Sequence, residues 1–208
     1  MKKSGFVILW FCFPLFPSYL YISSAGSSWG MYSLSIALGV YSFTLLAGQL
    51  YLISRPQWLQ KMLSVKDIIR LHSIVPLIVL ILSLAHRFLK ENNGFSMDTV
   101  QSILGLFSWF FLLLIIIIAV LLLANTFITA NTLIKKIKDG IYSIFKLSYA
   151  KVRAAHNLTV LLTIILCVHV FLSSLTDVSF NPAGTLVLFA WVLFCFISYS
   201  IYRIRGRK

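Results

Sequence analysis

The chain contains four histidines, and all four lie in apolar segments. His72 and His86 are 14 residues apart in LHSIVPLIVLILSLAHRF, and His156 and His169 are 13 residues apart in HNLTVLLTIILCVH. An imidazole is costly to place in hydrocarbon, so an intramembrane histidine usually faces a partner, a cavity or a cofactor. Two helices that each offer imidazoles at two similar depths can hold two metal centres across a bilayer. Bis-histidine haem fits this pattern.

The spacing places the members of each pair at different depths of one helix. At a rise of 1.5 Å per residue the two pairs span about 21 Å and about 19.5 Å, which fits within a hydrocarbon layer of roughly 30 Å. At about 100° per residue the first pair returns to within about 40° of one face, whereas the second ends about 140° from alignment. Pro76 can kink the first helix. The second segment has no proline, so we expect it either to bend or to present its histidines to different sides.

Pairing by depth joins His72 with His156 and His86 with His169. Two imidazole ligands leave no open position on an iron, which suits electron transfer rather than oxygen binding. A single histidine in a membrane helix is more often a packing residue or a proton relay. Neither segment carries Asp or Glu, which disfavours a carboxylate-assisted proton path or a hydrolytic zinc site. The alternatives are a transporter that uses the histidines without haem and an assembly subunit with no redox role.

Composition predicts an all-α integral membrane protein with a single domain over residues 1–208. The chain is 60% hydrophobic and 11% charged, whereas a soluble domain carries about 25% charged residues. Most of its six apolar stretches reach the roughly 20 residues that a membrane-crossing helix needs. They cover about 5–22, 31–54, 68–89, 100–124, 153–174 and 183–203.

The first stretch is the shortest and contains Pro14 and Pro17. With lysines before it and SSAGSS after it, this stretch also resembles a signal peptide. Its apolar part is long for that role and no clean A-x-A site follows, so we expect a retained helix.

The net charge of +13 comes from cations that fall on one side of the predicted topology. With six spans and the amino end inside, every lysine and arginine except Arg87 and Lys90 is cytoplasmic, as the positive-inside rule requires. This placement explains the basic composition without a nucleic-acid partner and predicts that both termini are cytoplasmic. The third and fifth spans then both run outwards, so the first histidine of each lies nearer the cytoplasm.

Three segments resemble the ferric reductase-like transmembrane domain family, which includes NADPH oxidases and bacterial relatives. LLAGQLYLISRP and IIRLHSIVPLIVLILSLAHRF resemble its second and third spans, and VRAAHNLTVLLTIILCVHVF resembles its fifth. The resemblance covers about residues 30–203. It implies a bundle of six transmembrane helices around two stacked b-type haems, with both termini cytoplasmic. It also implies that the iron ligands are His72, His156, His86 and His169.

The function implied by this resemblance is transmembrane electron transfer from a cytoplasmic flavin donor, through two haems, to an extracytoplasmic acceptor such as ferric iron. Oxidases of the family continue into flavin and nicotinamide domains, but this sequence has no such domain and no GxGxxG. We therefore expect an oxidoreductase component whose FAD or FMN comes from a partner flavoprotein or binds at the cytoplasmic face. The close alternative is a haem membrane subunit that supplies a periplasmic methionine sulfoxide reductase. The composition favours a bacterial plasma membrane.

Cations beside the histidines are candidates to pair with the haem propionates. Arg70 and Arg153 precede the inner histidines, and Arg87 follows His86. The topology rule alone also places cations at inner helix ends, so Arg87 is the strongest candidate. The basic connection at 125–152 contains IKKIKDGIYSIFKL, which predicts a surface helix that binds anionic lipid or docks an acidic flavoprotein.

Overall fold

The computed structural model describes residues 3–24, 30–123 and 131–205, and these residues form helices joined by turns, without a strand. Six helical stretches are long and apolar enough to cross a membrane: Lys3–Ser24, Met31–Ser54, Val65–Asn92, Val100–Leu123, Tyr149–Phe171 and Pro182–Arg205. They confirm the all-helical fold and the six predicted spans. Lys2, Arg207, Lys208, most of SSAGSS and residues 124–130 lie outside the described residues.

The helices are numbered here in chain order. They are α1 (Lys3–Cys12), α2 (Leu15–Ser24), α3 (Met31–Ser54), α4 (Gln57–Met62), α5 (Val65–Asn92), α6 (Val100–Ile118), α7 (Thr132–Ile144), α8 (Tyr149–His156), α9 (Thr159–Phe171) and α10 (Pro182–Arg205). A short π-helical turn, Ala119–Leu123, extends α6, and a 3₁₀ turn, Ser174–Thr176, precedes α10.

The first span is two helices because a turn at Phe13 and Pro14 separates α1 from α2. Proline has no N–H and cannot continue the helical hydrogen-bond ladder. Pro17 lies in the first turn of α2, where a missing N–H costs little. The hydroxyl of Tyr41 donates to the carbonyl of Phe11 at 2.8 Å and joins this span to α3.

The third span, α5, is a continuous helix of 28 residues. The Ser64 side chain caps its start by accepting a hydrogen bond from the backbone N–H of Asp67. The helix continues through Pro76. Because proline has no N–H, the carbonyl of His72, four residues earlier, receives no helical bond from this position.

The fifth span is interrupted directly after His156. Asn157 and Leu158 form a turn between α8 and α9, in which the N–H of Val160 donates to the carbonyl of Asn157, three residues back, at 3.1 Å. A residue in a three-residue turn advances about 120° rather than about 100°. The turn therefore rotates His169 back towards the face of His156 and removes part of the mismatch of about 140° that a regular helix would leave.

Helix α3 lies at the centre of the bundle. It packs against α2, α5 and α10, while α9 packs against α6. The indole N–H of Trp191 on α10 donates to the backbone carbonyl of Thr44 on α3 at 3.0 Å. The outer surfaces of α5, α6 and α10 expose large apolar side chains such as Ile81, Phe107 and Leu186. These surfaces suit contact with the lipid hydrocarbon, which cannot form hydrogen bonds with polar groups.

Candidate functional site

The structure brings the inner histidines together. The ring centroids of His72 on α5 and His156 on α8 are 6.0 Å apart, and the ring planes are at 89° to each other. A metal–imidazole bond is about 2.0 Å long, so one metal bound between two imidazoles requires ring centroids about 6 Å apart. The observed separation therefore fits a metal bound by both rings.

Gln49 holds the imidazole of His72. The Gln49 side chain is buried on α3. Its Nε2 donates to the carbonyl of Leu45 at 3.4 Å, so its Oε1 is the atom that faces His72. Nδ1 of His72 donates to Oε1 of Gln49 at 3.0 Å. Because an amide oxygen can only accept, the proton is on Nδ1, and Nε2 of His72 keeps a lone pair for a metal.

His156 differs from its partner. Its Nδ1 is buried and has no hydrogen-bond partner among the described residues. Buried polar atoms are nearly always hydrogen-bonded, so this nitrogen marks a place where the protein alone does not satisfy the side chain. His156 is also the last residue of α8, next to the turn that interrupts the fifth span.

The outer histidines share a cavity of about 280 Å³ between α3, α5, α6 and α9. His86 reaches it from α5 and His169 from α9. Nδ1 of His86 donates to the backbone carbonyl of Ser35 at 2.6 Å, and Nδ1 of His169 donates to the backbone carbonyl of Gln101 at 2.7 Å. A carbonyl accepts only, so both imidazoles carry their proton on Nδ1 and leave Nε2 free.

Two glycines allow these rings to lie against the neighbouring helices. A Cβ at Gly39 on α3 would be 2.8 Å from Cε1 and Nδ1 of His86. A Cβ at Gly105 on α6 would be 2.8 Å from Cε1 of His169. Carbon atoms in contact are normally about 3.5–4.0 Å apart, so each imidazole occupies space that any other residue would fill.

Three of the four imidazoles therefore have Nδ1 bonded to an acceptor and Nε2 unprotonated. Metal-binding histidines usually have this arrangement, because a second hydrogen bond fixes the tautomer and the ring orientation. Among the described residues no group of three or more His, Cys, Asp or Glu side chains is close enough to hold a metal ion. The inner pair, with ring centroids 6.0 Å apart, fits a metal whose remaining ligands come with it, as the four nitrogens of a porphyrin do, and the outer pair offers two imidazoles to one shared cavity.

The predicted cations lie in different surroundings. Arg87 lines the outer cavity together with Lys90. The Lys90 ammonium lies 4.5 Å from the ring centre of Tyr32 and 3.9 Å from that of Phe95, as in a cation–π contact.

Near the inner pair, Arg70 and Arg153 are both exposed. Arg55, which follows α3, interacts electrostatically with His72. Arg55 is therefore a further candidate beside the two arginines chosen from the sequence.

Sequence reasoning missed Gln49 and both glycines. Gln49 is the only amide side chain in the second span, and a buried amide in an apolar helix needs a partner. The sequence therefore indicates that Gln49 has a hydrogen-bond partner, but it does not show that this partner is His72. The glycines carry no such signal singly, since glycine is common in membrane helices.

Comparison with models of known protein families finds no match, and comparisons with curated proteins and with solved structures find no similar protein.

Proposed function

We propose that this chain is a transmembrane electron conduit of the ferric reductase-like type, with two b-type haems. One haem would be held by His72 and His156, and the other by His86 and His169. When bound, haem would supply an iron that gains and loses one electron, and the two histidines of each pair would hold it in both oxidation states. The observation that carries the proposal is the pairing of four imidazoles from two helices, three of them with Nδ1 fixed by an acceptor.

The residues around the pairs support this role. Gln49 and the carbonyls of Ser35 and Gln101 orient the imidazoles and make their Nε2 atoms better donors. The apolar side chains of α5 and α6 keep bulk water and ions from crossing beside the haems. Arg87 and Lys90 line the outer cavity and would supply positive charge to pair with the propionates of the outer haem.

The proposed direction of electron flow combines a cytoplasmic donor with the topology that the charge distribution predicts. The positive-inside rule places the inner pair near the cytoplasm. In this proposal the haem held by His72 and His156 would accept an electron from a cytoplasmic flavoprotein that carries FAD or FMN, and the haem held by His86 and His169 would pass it to an external acceptor such as ferric iron. In the alternative function, electrons would take the same route but would pass to a periplasmic methionine sulfoxide reductase. Parallel assays with ferric chelates and with an oxidised-methionine protein distinguish the two.

The proposal is tested by haem quantification in the purified protein and in four variants, His72→Ala, His86→Ala, His156→Ala and His169→Ala. We expect two haems per chain in the wild type and about one in each variant, because removal of one axial ligand destroys one site. Gly140→Ala on α7 is the control, since a Cβ there meets nothing within 4 Å. A colourless wild type made with ample haem supply would favour a transporter or an assembly subunit instead.

A further inference from the structure

Two helices carry similar short sequences at the outer site. Leu38–Ser42 on α3 reads LGVYS, and Leu104–Ser108 on α6 reads LGLFS. The residue four positions before each glycine is the one whose carbonyl accepts from a histidine Nδ1, namely Ser35 in the first copy and Gln101 in the second. The two copies thus agree in both sequence and contact.

Each copy contacts a histidine from the next of the six long spans along the chain. The copy on α3 receives His86 from α5, and the copy on α6 receives His169 from α9. The serine at the end of each copy is equivalent too, because Ser42 and Ser108 are both buried and both line the cavity. The outer site therefore consists of two similar halves, each made of a glycine-bearing helix and a histidine-bearing helix.

The geometry of a helix explains why the glycine and the carbonyl are four residues apart. Residues at i and i+4 lie on the same face, one above the other. A carbonyl oxygen has two lone pairs, so it can accept from an imidazole while it stays in the helical ladder. An imidazole reaches that oxygen only if the residue one turn later has no side chain in the way, which requires glycine.

We propose that Gly39 and Gly105 are paired positioning residues. By lacking a Cβ they admit the rings of His86 and His169 to the helix backbone, where the carbonyls of Ser35 and Gln101 fix both Nε2 atoms towards the cavity. This inference rests on the proposed function, since it concerns how the protein holds the axial ligands of the outer haem. The two glycines would act only through the histidine rings and would not themselves bind the iron.

An alanine at either glycine should displace the histidine ring. A methyl group 2.8 Å from ring atoms forces a shift of more than half an ångström, which lengthens or breaks the Nδ1 hydrogen bond. We expect Gly39→Ala and Gly105→Ala to have similar effects because the two halves are alike. No atom of His72 or His156 is among the three atoms nearest to the Cβ position of Gly39 or Gly105, so the inner haem should be unaffected.

The experiment compares Gly39→Ala, Gly105→Ala and the control Gly140→Ala as purified full-length proteins. Haem content is measured together with low-spin ferric electron paramagnetic resonance, which reports the orientation of the axial ligand planes, and with a redox titration. We expect the signal of the outer haem to move or disappear in both test variants, with haem content between two and about one per chain. The inner signal and potential should remain those of the wild type and show that the protein is folded.

A double variant separates positioning from general packing. If Gly39 acts through His86, Gly39→Ala should change nothing further in a His86→Ala background. Unchanged spectra and potentials in Gly39→Ala and Gly105→Ala, with two haems in the wild type, would overturn the inference and leave the proposed function intact. Equal damage to both haems would also overturn it, because the glycines would then support the fold as a whole. A wild type without haem would refute the proposed function itself.

Discussion

At the scale of single residues, the two histidine pairs are held by different kinds of acceptor. His86 and His169 donate to backbone carbonyls, whereas His72 donates to the side chain of Gln49. The fourth histidine, His156, has no acceptor for Nδ1 among the described residues. The inner pair therefore depends on one replaceable side chain, and the outer pair does not.

Substitution of Gln49 should shift the potential of the inner haem alone. An acceptor at Nδ1 makes the imidazole a stronger donor, which stabilises ferric iron and lowers the potential. Gln49→Leu should therefore raise the inner potential and Gln49→Glu should lower it, by about 59 mV for each tenfold change in the ferric-to-ferrous affinity ratio. A redox titration measures both shifts, and the outer haem is the internal control. Equal shifts of both haems, or none, would contradict the role of Gln49.

At the scale of helices, α7 contacts the end of the fourth span through Tyr142, whose hydroxyl donates to the carbonyl of Leu122 at 3.1 Å, but it leaves much of its apolar surface uncovered. No residue of Thr132–Ile144 is buried, and the apolar side chains of Leu133, Ile137 and Ile144 are exposed. Its three lysines lie within the segment TLIKKIKDG, where they are interspersed with leucine and isoleucine. Such a helix suits a membrane surface that carries negative charge, or an acidic protein docked there.

Charge reversal on α7 should distinguish these two partners. The test variant combines Lys135→Glu, Lys136→Glu and Lys138→Glu, and Lys61→Glu on α4 controls for charge reversal elsewhere on the predicted cytoplasmic side. If an acidic flavoprotein docks here, the test variant should slow reduction of the inner haem by at least tenfold at low salt, and its rate should lose most of its salt dependence. Stopped-flow reduction at several ionic strengths provides the measurement. Wild-type kinetics in the test variant would assign the lysines to lipid.

At the scale of the whole molecule, the spans were predictable because lipid imposes a simple requirement. A crossing helix needs about 20 apolar residues, and this length is visible in the sequence without knowledge of any contact. The depth pairing of His72 with His156 was predictable for the same reason, since depth depends only on position along a helix. The structure places those two rings 6.0 Å apart.

The rotational positions of the histidines about their helix axes, and the helices that each one contacts, were not predictable in this way. Regular periodicity put His156 and His169 about 140° apart, because it could not foresee the tight turn at Asn157 and Leu158. The roles of Gly39 and Gly105 depend on which helices touch, and that is decided by packing of the whole bundle. The likeness between LGVYS and LGLFS was visible in the sequence, but its meaning required the contacts.

The orientation of the molecule gives a prediction at this scale. With 16 of the 18 cations on the predicted cytoplasmic side, a fluorescent reporter fused after Lys208 should be active in the cytoplasm. An alkaline phosphatase inserted at Gly94 should be active outside, because this exposed turn between α5 and α6 has open space around it. Exchanging the two reporters should abolish both activities. Activity of the phosphatase at the carboxyl end instead would reverse the direction of electron flow proposed above.

The contrast between main-chain and side-chain acceptors also bears on how such a protein can evolve. No point mutation removes a backbone carbonyl, so the acceptors of His86 and His169 persist through side-chain replacement at Ser35 and Gln101. At His72 a single codon change alters the acceptor. Natural selection therefore has a simple means to change the hydrogen bonding of one histidine pair while that of the other stays constant.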